Sequence, residues 1–195
     1  YNAHNQVTSI TNPLGGAKTF TYDAEGRKLS EKDADGVGTS HTFDKAGQVT
    51  AVTEGNGNTT TFTYDGFGRK IGASNGEGGN YSYTYDGVGN QLSVTDAEGH
   101  TTSYTYDSKG RFLTEINASG QTTTVTRDAL GRIVTRTNEA GNSSSLTYDD
   151  RNNAVKTITD ALGQVTQNTY DAADKLTSVS YPIGTKAETT YDIMG

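Results

Sequence analysis

The sequence has no cysteine, no tryptophan, one methionine and two prolines among its 195 residues. Without cysteine, the chain has neither a disulfide framework nor a thiolate metal site. Hydrophobic residues make up 31%, against the ~45–50% that is usual for globular proteins. No apolar run approaches the ~20 residues that a membrane-spanning helix needs. These absences predict a thin core and no membrane insertion.

Basic residues are also scarce. There are 16 Lys and Arg against 23 Asp and Glu, which gives a net charge of −7. Nucleic acids and anionic membrane surfaces both bind clustered positive charge, so we expect neither as a partner. A charged chain with few apolar residues is typical of disorder. However, the 12 Tyr and 5 Phe stand at regular spacing, which indicates a folded repeat protein.

The regular spacing belongs to a dipeptide of an aromatic residue and Asp. It recurs every 21 residues, except for 22 residues between Tyr148 and Tyr170, and gives nine periods. Arg127-Asp128 and Tyr1-Asn2 fill two further slots of the same row. The complete pairs are Tyr22-Asp23, Phe43-Asp44, Tyr64-Asp65, Tyr85-Asp86, Tyr106-Asp107, Tyr148-Asp149, Tyr170-Asp171 and Tyr191-Asp192.

We number each repeat from its aromatic anchor, which is position zero. The residue at position +4 tolerates the left-handed backbone conformation. It is Gly in seven copies, including Gly26, Gly68, Gly110 and Gly195, and Asn5, Asn152 and Asp174 in the others. Asp at the first position and Gly at the fourth are typical of a type I turn followed by a bulge. We therefore predict positive φ at Gly26, Gly68 and Gly110. A second Gly row at position +14, such as Gly36 and Gly57, predicts another and wider turn.

Between the two turns, hydroxyl-bearing and apolar residues alternate with a period of two, which is typical of β-strands. Position −1 is Thr in nine copies, for example Thr21 and Thr63, whereas position −2 is mostly apolar. A second strand follows the turn, as in residues 48–53 (QVTAVT). The fold class is therefore all-β: tandem antiparallel β-hairpins with about 18 strands, forming a long twisted or spiralling strip over residues 1–195. We expect the terminal strands to pair with further repeats or with another copy.

The motif Y-D-x-x-G-R, in which Arg27, Arg69 and Arg111 take the last place, resembles the YD or Rhs repeat. The resemblance covers the whole chain. That family includes Rhs and wall-associated polymorphic toxins, cocoon-forming subunits of toxin complexes, and teneurins. It implies a β-strip that spirals into a hollow shell around a toxic domain. The chain departs from larger members in lacking a Pro-rich self-cleaving element, a plug and a toxin-like tail.

The resemblance implies a structural segment of a larger secreted or cell-surface protein, with bacterial relatives. It also implies that the chain forms part of a shell or an extracellular fibre and is not an enzyme. Its expected partners are further YD repeats of the same or identical chains and an encapsulated toxin domain. Surface glycans are the partners in the alternative function, a carbohydrate-binding adhesin that uses the Tyr face. Tyr81, Tyr83 and Tyr85 are the candidate residues for stacking on sugars.

No constellation of residues indicates catalysis, a cofactor or a metal ion. The carboxylates of Asp33, Asp35, Asp96 and Glu98 are interpreted as turn residues, because calcium requires six to eight converging oxygens. The three histidines lie in different repeats without metal-ligand spacing. Arg127, which replaces the ring in its row, is predicted to stack on Tyr106 or Tyr148.

Overall fold

The computed structural model describes residues 1–190, so Tyr191, Asp192 and Gly195 of the repeat rows lie outside the described residues. The chain divides into two compact units, Tyr1–Thr101 and Thr102–Gly195. The described residues form eighteen β-strands and no helix, hence no helix long and apolar enough to cross a membrane. The all-β prediction and the predicted number of strands are confirmed.

In the first unit, each strand pairs antiparallel with the next one along the chain. The strands are β1 (Ser9–Thr11), β2 (Ala17–Tyr22), β3 (Lys28–Lys32), β4 (Gly38–Phe43), β5 (Val49–Thr53), β6 (Thr59–Tyr64), β7 (Lys70–Ser74), β8 (Asn80–Tyr85) and β9 (Gln91–Thr95).

The second unit continues the pattern from a strand that begins at its boundary, and consecutive strands again pair antiparallel. The strands are β10 (Thr101–Tyr106), β11 (Phe112–Ile116), β12 (Thr122–Arg127), β13 (Ile133–Thr137), β14 (Ser143–Tyr148), β15 (Val155–Thr159), β16 (Val165–Tyr170), β17 (Leu176–Ser180) and β18 (Lys186–Glu188). The anchor row therefore ends the even-numbered strands from β2 to β16, with Arg127 in place of the ring in β12.

Both turns of the repeat have the same construction, so the prediction of a wider second turn was wrong. In the first turn, the N–H of Gly26 donates to the carbonyl oxygen of Asp23 at 3.1 Å. In the second turn, the N–H of Gly36 donates to the carbonyl oxygen of Asp33, also at 3.1 Å. Both glycines have positive φ, 84° and 79°. The reason is a second row of turn-closing residues at position +11, mostly Asp and Asn, which mirrors the Asp of the first turn.

The predicted positive φ is confirmed at Gly26, Gly68 and Gly110, with values of 84°, 82° and 74°. The assignment of Asn152 to this row was wrong, because Asn153 has the positive φ, 59°. The N–H of Asn153 donates to the carbonyl oxygen of Asp149 at 2.9 Å. This turn is one residue longer than the others, and it absorbs the extra residue of the 22-residue period.

A bulge in each hairpin determines which side chains share a face. Tyr64 pairs with Lys70, but Thr63 pairs with Gly72, so Ile71 is the extra residue. The even-numbered strands place their aromatic anchors on one side, which we call the ring face, and their Thr residues at −1 on the other, the hydroxyl face. The bulge places positions +8 and +10 of the odd-numbered strands on the hydroxyl face too, and these are mostly Ser and Thr.

The core is thin, as the composition predicts. Among the described residues, Val125 is the buried hydrophobic side chain, at 7% exposure, and Ser178 is the buried polar one. Large apolar residues such as Phe67 and Val88 lie exposed at turn tips. Backbone ladders and side-chain hydrogen bonds between neighbouring repeats therefore carry much of the cohesion.

Candidate functional site: the ties between successive turns

The aspartate of the repeat closes its own turn. Oδ1 of Asp65 accepts hydrogen bonds from the N–H groups of Phe67 and Arg69 at 2.9 and 3.0 Å. Oδ2 of Asp65 accepts from Nε of Arg69 at 2.6 Å. A single carboxylate thus holds the backbone of the turn and the guanidinium of the motif. The same arrangement joins Asp23 to Arg27, Asp107 to Arg111 and Asp128 to Arg132.

The motif arginine also reaches the next repeat. Nη1 of Arg69 donates to the carbonyl oxygen of Asp86 at 2.7 Å, and its guanidinium lies 4.9 Å from the centre of the Tyr85 ring. Arg27 repeats this geometry, at 3.3 Å from the carbonyl oxygen of Asp44 and 4.6 Å from the Phe43 ring. Arg69 and Arg27 therefore each link their own turn to the following turn through a hydrogen bond and a cation–π contact.

Glutamine makes this link where arginine is absent. The side-chain amides of Gln6 and Gln48 donate to the carbonyl oxygens of Gly26 and Gly68, each at 2.8 Å. The motif places Arg27 and Arg69 at position +5, but the glutamines that alternate with them in the same row were overlooked in the sequence. Asn90, which is shorter, stays within its own turn and donates to Oδ2 of Asp86 at 2.8 Å.

The anchor tyrosines make the reciprocal tie, to the preceding repeat. In five of them, the hydroxyl donates to the backbone carbonyl oxygen of the residue fifteen positions earlier. This hydrogen bond links Tyr22 to Val7, Tyr64 to Val49, Tyr85 to Lys70, Tyr148 to Ile133 and Tyr170 to Val155, at 2.6–2.9 Å. The acceptor lies just beyond the previous turn, so rings and arginines together tie each turn to its neighbour.

Arg127 takes over the role of the missing tyrosine. Its Nη2 donates to the carbonyl oxygen of Phe112 at 3.5 Å, again fifteen residues earlier, and its Nη1 donates to that of Gly131 at 3.2 Å. The prediction that Arg127 stacks on Tyr106 or Tyr148 was wrong. Arg132 already covers the Tyr148 ring, at 4.4 Å from its centre.

The turn hydrogen bonds keep the aspartates ionised. The N–H of Arg111 and, against the opposing effect of desolvation, its guanidinium lower the pKa of Asp107 to about 2. The side-chain amide of Asn90 lowers the pKa of Asp86. For Asp23, desolvation raises the pKa, but the hydrogen bonds from Arg27 outweigh it and the net shift is downward. Asp65 and Asp128 follow the same pattern with their own arginines.

The three candidate sugar-stacking residues lie on the ring face of β8. Tyr81 is exposed at 38%, whereas Tyr83 and Tyr85 are half-buried. The Tyr85 ring already has the guanidinium of Arg69 beside it, and its hydroxyl donates to the carbonyl oxygen of Lys70. The strand thus brings the three rings to one face, with one of them engaged in the ties between turns.

One turn brings together three side chains with metal-ligating atoms. The donor atoms of Asp96, Glu98 and His100 lie within 4.8 Å of one another, a grouping that histidine spacing alone did not indicate. Asp96 holds this turn as its equivalents do, since Oδ1 accepts from the N–H groups of Glu98 and His100. Oδ2 lies 3.1 Å from Nδ1 of His100. The contacts are those of a turn, and we assign no ion to it.

Comparison with solved structures finds a similar fold in part of a toxin complex. The Tc holotoxin pore of Photorhabdus luminescens matches with a TM-score of 0.60 and 18% identity, over 92% of this chain and 12% of that chain. A crystal structure of TcdB2-TccC3 matches with a TM-score of 0.44 and 15% identity, over 96% of this chain and 14% of that one. This chain thus spans a small part of the length of these relatives. Comparison with curated proteins finds no match.

A protein-family model described as the RHS Repeat matches the sequence five times. The matches cover residues 1–37, 43–80, 85–112, 106–143 and 148–186, which is most of the chain. Each matched segment contains at least one complete turn of the kind described above. The chain therefore belongs to the RHS repeat family.

Proposed function

We propose that this chain is a stretch of wall in a shell that a larger secreted or cell-surface bacterial protein builds around a toxin domain. The observation that carries the proposal is the set of ties between successive turns, in which Tyr64 reaches back to Val49 while Arg69 reaches forward to Asp86. Such ties suit a protein whose role is to extend a continuous sheet. Membership of the RHS repeat family and the fold shared with the Tc holotoxin pore support the same role.

A structural role without catalysis is consistent with how the repeat uses its charged side chains. The carboxylates of Asp23, Asp65 and Asp128 are occupied by turn N–H groups and arginines. A general acid or base needs a pKa near the working pH, whereas the pKa values of these groups are lowered. The partners in this proposal are further repeats of the same or identical chains and the enclosed toxin domain.

Electron microscopy of the intact protein that carries this chain tests the proposal. A hollow closed particle with internal density, which disappears when the toxin domain is deleted, is the expected image. An extended filament would contradict the shell and support the rival structural role, an extracellular fibre.

The alternative function is glycan binding through Tyr81, Tyr83 and Tyr85. The exposure of Tyr81 supports it, whereas the contacts of Tyr85 with Arg69 and Lys70 tie that ring to the wall. A glycan array with the chain and its Tyr81→Ala variant separates the two functions. Binding that the substitution abolishes supports the adhesin, and an array without bound glycans supports the wall.

A further inference from the structure

The ring face has a small recess beside the second turn of the repeat, and two repeats contain it. One recess lies over β2, β3 and β4 with a volume of about 300 Å³, and the other lies over β12, β13 and β14 with about 320 Å³. Both volumes are at the lower end of the ~300–1,000 Å³ of small-molecule sites. Equivalent residues line the two recesses: Lys18 and Thr123 at −4, Glu31 and Arg136 at +9, and Thr39 and Ser144 at −4 of the following repeat.

The first recess carries its own counter-charges. One carboxylate oxygen of Glu31 contacts Nζ of Lys18, and the other lies 2.5 Å from Nζ of Lys28. Hydrogen bonds from these two ammonium groups lower the pKa of Glu31 to about 2. The charge at position +9 is therefore satisfied within the chain.

The second recess holds a cation without a counter-charge. Its lining differs at three positions, where Lys18, Glu31 and Asp33 give way to Thr123, Arg136 and Asn138. No acidic residue is left among the described residues that line it. The guanidinium of Arg136, an exposed residue, forms neither an ion pair nor a hydrogen bond within residues 1–190. The two recesses therefore have similar volumes and opposite net charge.

Neutral hydrogen-bond donors share the second recess with Arg136. Thr123 and Ser144 contribute hydroxyl groups and Asn142 contributes a side-chain amide. None of these three side chains is hydrogen-bonded to another residue in the described part of the chain. Glu139 lies exposed at the tip of the adjoining turn and is not part of the lining. The recess thus offers one full positive charge and several free donors.

A planar guanidinium with hydroxyl and amide donors beside it matches an oxyanion, because arginine binds the oxygens of carboxylates and phosphates with two parallel N–H groups. We propose that this recess binds a small oxyanion, with Arg136 as the main contact and Thr123, Asn142 and Ser144 as supporting donors. The net charge of −7 disfavours general attraction of anions, so binding depends on this local site. This activity goes beyond a wall-forming role.

Titration of the ¹⁵N-labelled 195-residue chain with inorganic phosphate and, separately, with acetate tests the proposal. Both titrations run at constant ionic strength in chloride, and the backbone N–H signals of Thr123, Asn142 and Ser144 report binding. We expect at least one anion to shift these signals saturably. The anion that binds more tightly identifies the group that the recess recognises, a phosphate or a carboxylate. Arg136→Gln should weaken the affinity about tenfold or more, on the scale of a hydrogen bond to a charged group.

Two further variants separate the site from net charge. Thr123→Glu keeps the arginine and supplies an internal counter-charge at the position of Lys18, so it should abolish binding. Lys45→Gln, at an exposed turn tip, removes the same charge as Arg136→Gln and should leave the affinity unchanged.

Three outcomes would overturn the assignment. They are a wild-type chain whose signals neither anion shifts, equal weakening by Arg136→Gln and Lys45→Gln, and full binding by Thr123→Glu. The dispersion of the NMR spectra shows whether each variant keeps the fold, and the wild-type titration decides the proposal even where a variant does not.

Discussion

The phenol hydroxyl of Tyr64 donates a hydrogen bond to the backbone carbonyl oxygen of Val49 at 2.7 Å. Val49 begins β5 directly after one turn, and Tyr64 ends β6 directly before the next. The bond therefore ties two neighbouring turns on the same edge of the sheet. The oxygen of the ring, and not only its apolar surface, thus explains why the row prefers Tyr to Phe.

Tyr64→Phe removes this hydrogen bond and keeps the ring. We expect the free energy of unfolding to fall by about 1 kcal/mol, the usual net worth of one hydrogen bond. Urea denaturation measures the change. Tyr81→Phe is the control, because the Tyr81 hydroxyl makes no hydrogen bond among the described residues, and it should change stability little. Equal losses in the two variants would contradict the tie.

Arg69→Lys tests the link from each turn to the next. Lysine keeps the charge but cannot bind Oδ2 of Asp65 and the carbonyl oxygen of Asp86 with one planar group beside the Tyr85 ring. We expect a loss of about 1–2 kcal/mol in the free energy of unfolding, on the scale of a hydrogen bond to a charged group. Lys109→Ala, at an exposed turn tip, is expected to be neutral. A neutral Arg69→Lys would show that charge alone matters.

Two glycines of one turn separate backbone strain from crowding. Gly89 has φ of 102° and Gly87 has no positive φ, and a Cβ on either would meet no atom within 4 Å. We expect Gly89→Ala to cost about 1–2 kcal/mol, because L-residues disfavour this region. Gly87→Ala should be neutral or slightly stabilising. Thermal unfolding of both variants gives the comparison, and a harmless Gly89→Ala would exclude the assigned turn geometry.

Because the pKa values of these turn aspartates are lowered, we expect the stability of the fold to be sensitive only to strong acid. Asp107 has a pKa of about 2 in the folded chain, below its ordinary value of 3.8. A lowered folded pKa stabilises the fold at pH above the ordinary value, and this contribution is lost as pH falls through the folded pKa. We expect stability to decline between about pH 4 and 2. Asp107→Asn should be less stable near neutral pH and decline less steeply, and an unchanged acid profile would contradict this role.

The sequence was sufficient for the period, the strand order and the positive φ of Gly26, Gly68 and Gly110, because these depend on local backbone preferences. It could not place the extra residue of the longer turn. Asn152 and Asn153 tolerate the same backbone region, and the hydrogen bond to the carbonyl oxygen of Asp149 decides between them.

Contacts between repeats were harder to predict. Arg127 has the chemistry to stack on Tyr148, but Arg132 occupies that ring, and only the three-dimensional arrangement reveals the competition.

The most direct test of the account is to delete one period, residues 44–64, and follow unfolding by circular dichroism. The deletion joins Phe43 to Asp65, restores an aromatic–Asp anchor and keeps every face in register. The shortened chain should remain β-rich and unfold in one cooperative transition. Deletion of residues 44–53 removes one turn and one strand, so every following aromatic–Asp turn moves to the opposite edge of the sheet and loses its ties to the preceding turns. This deletion should abolish that transition. If the 21-residue deletion unfolds the chain as completely as the 10-residue deletion, the period is not the unit from which this protein is built.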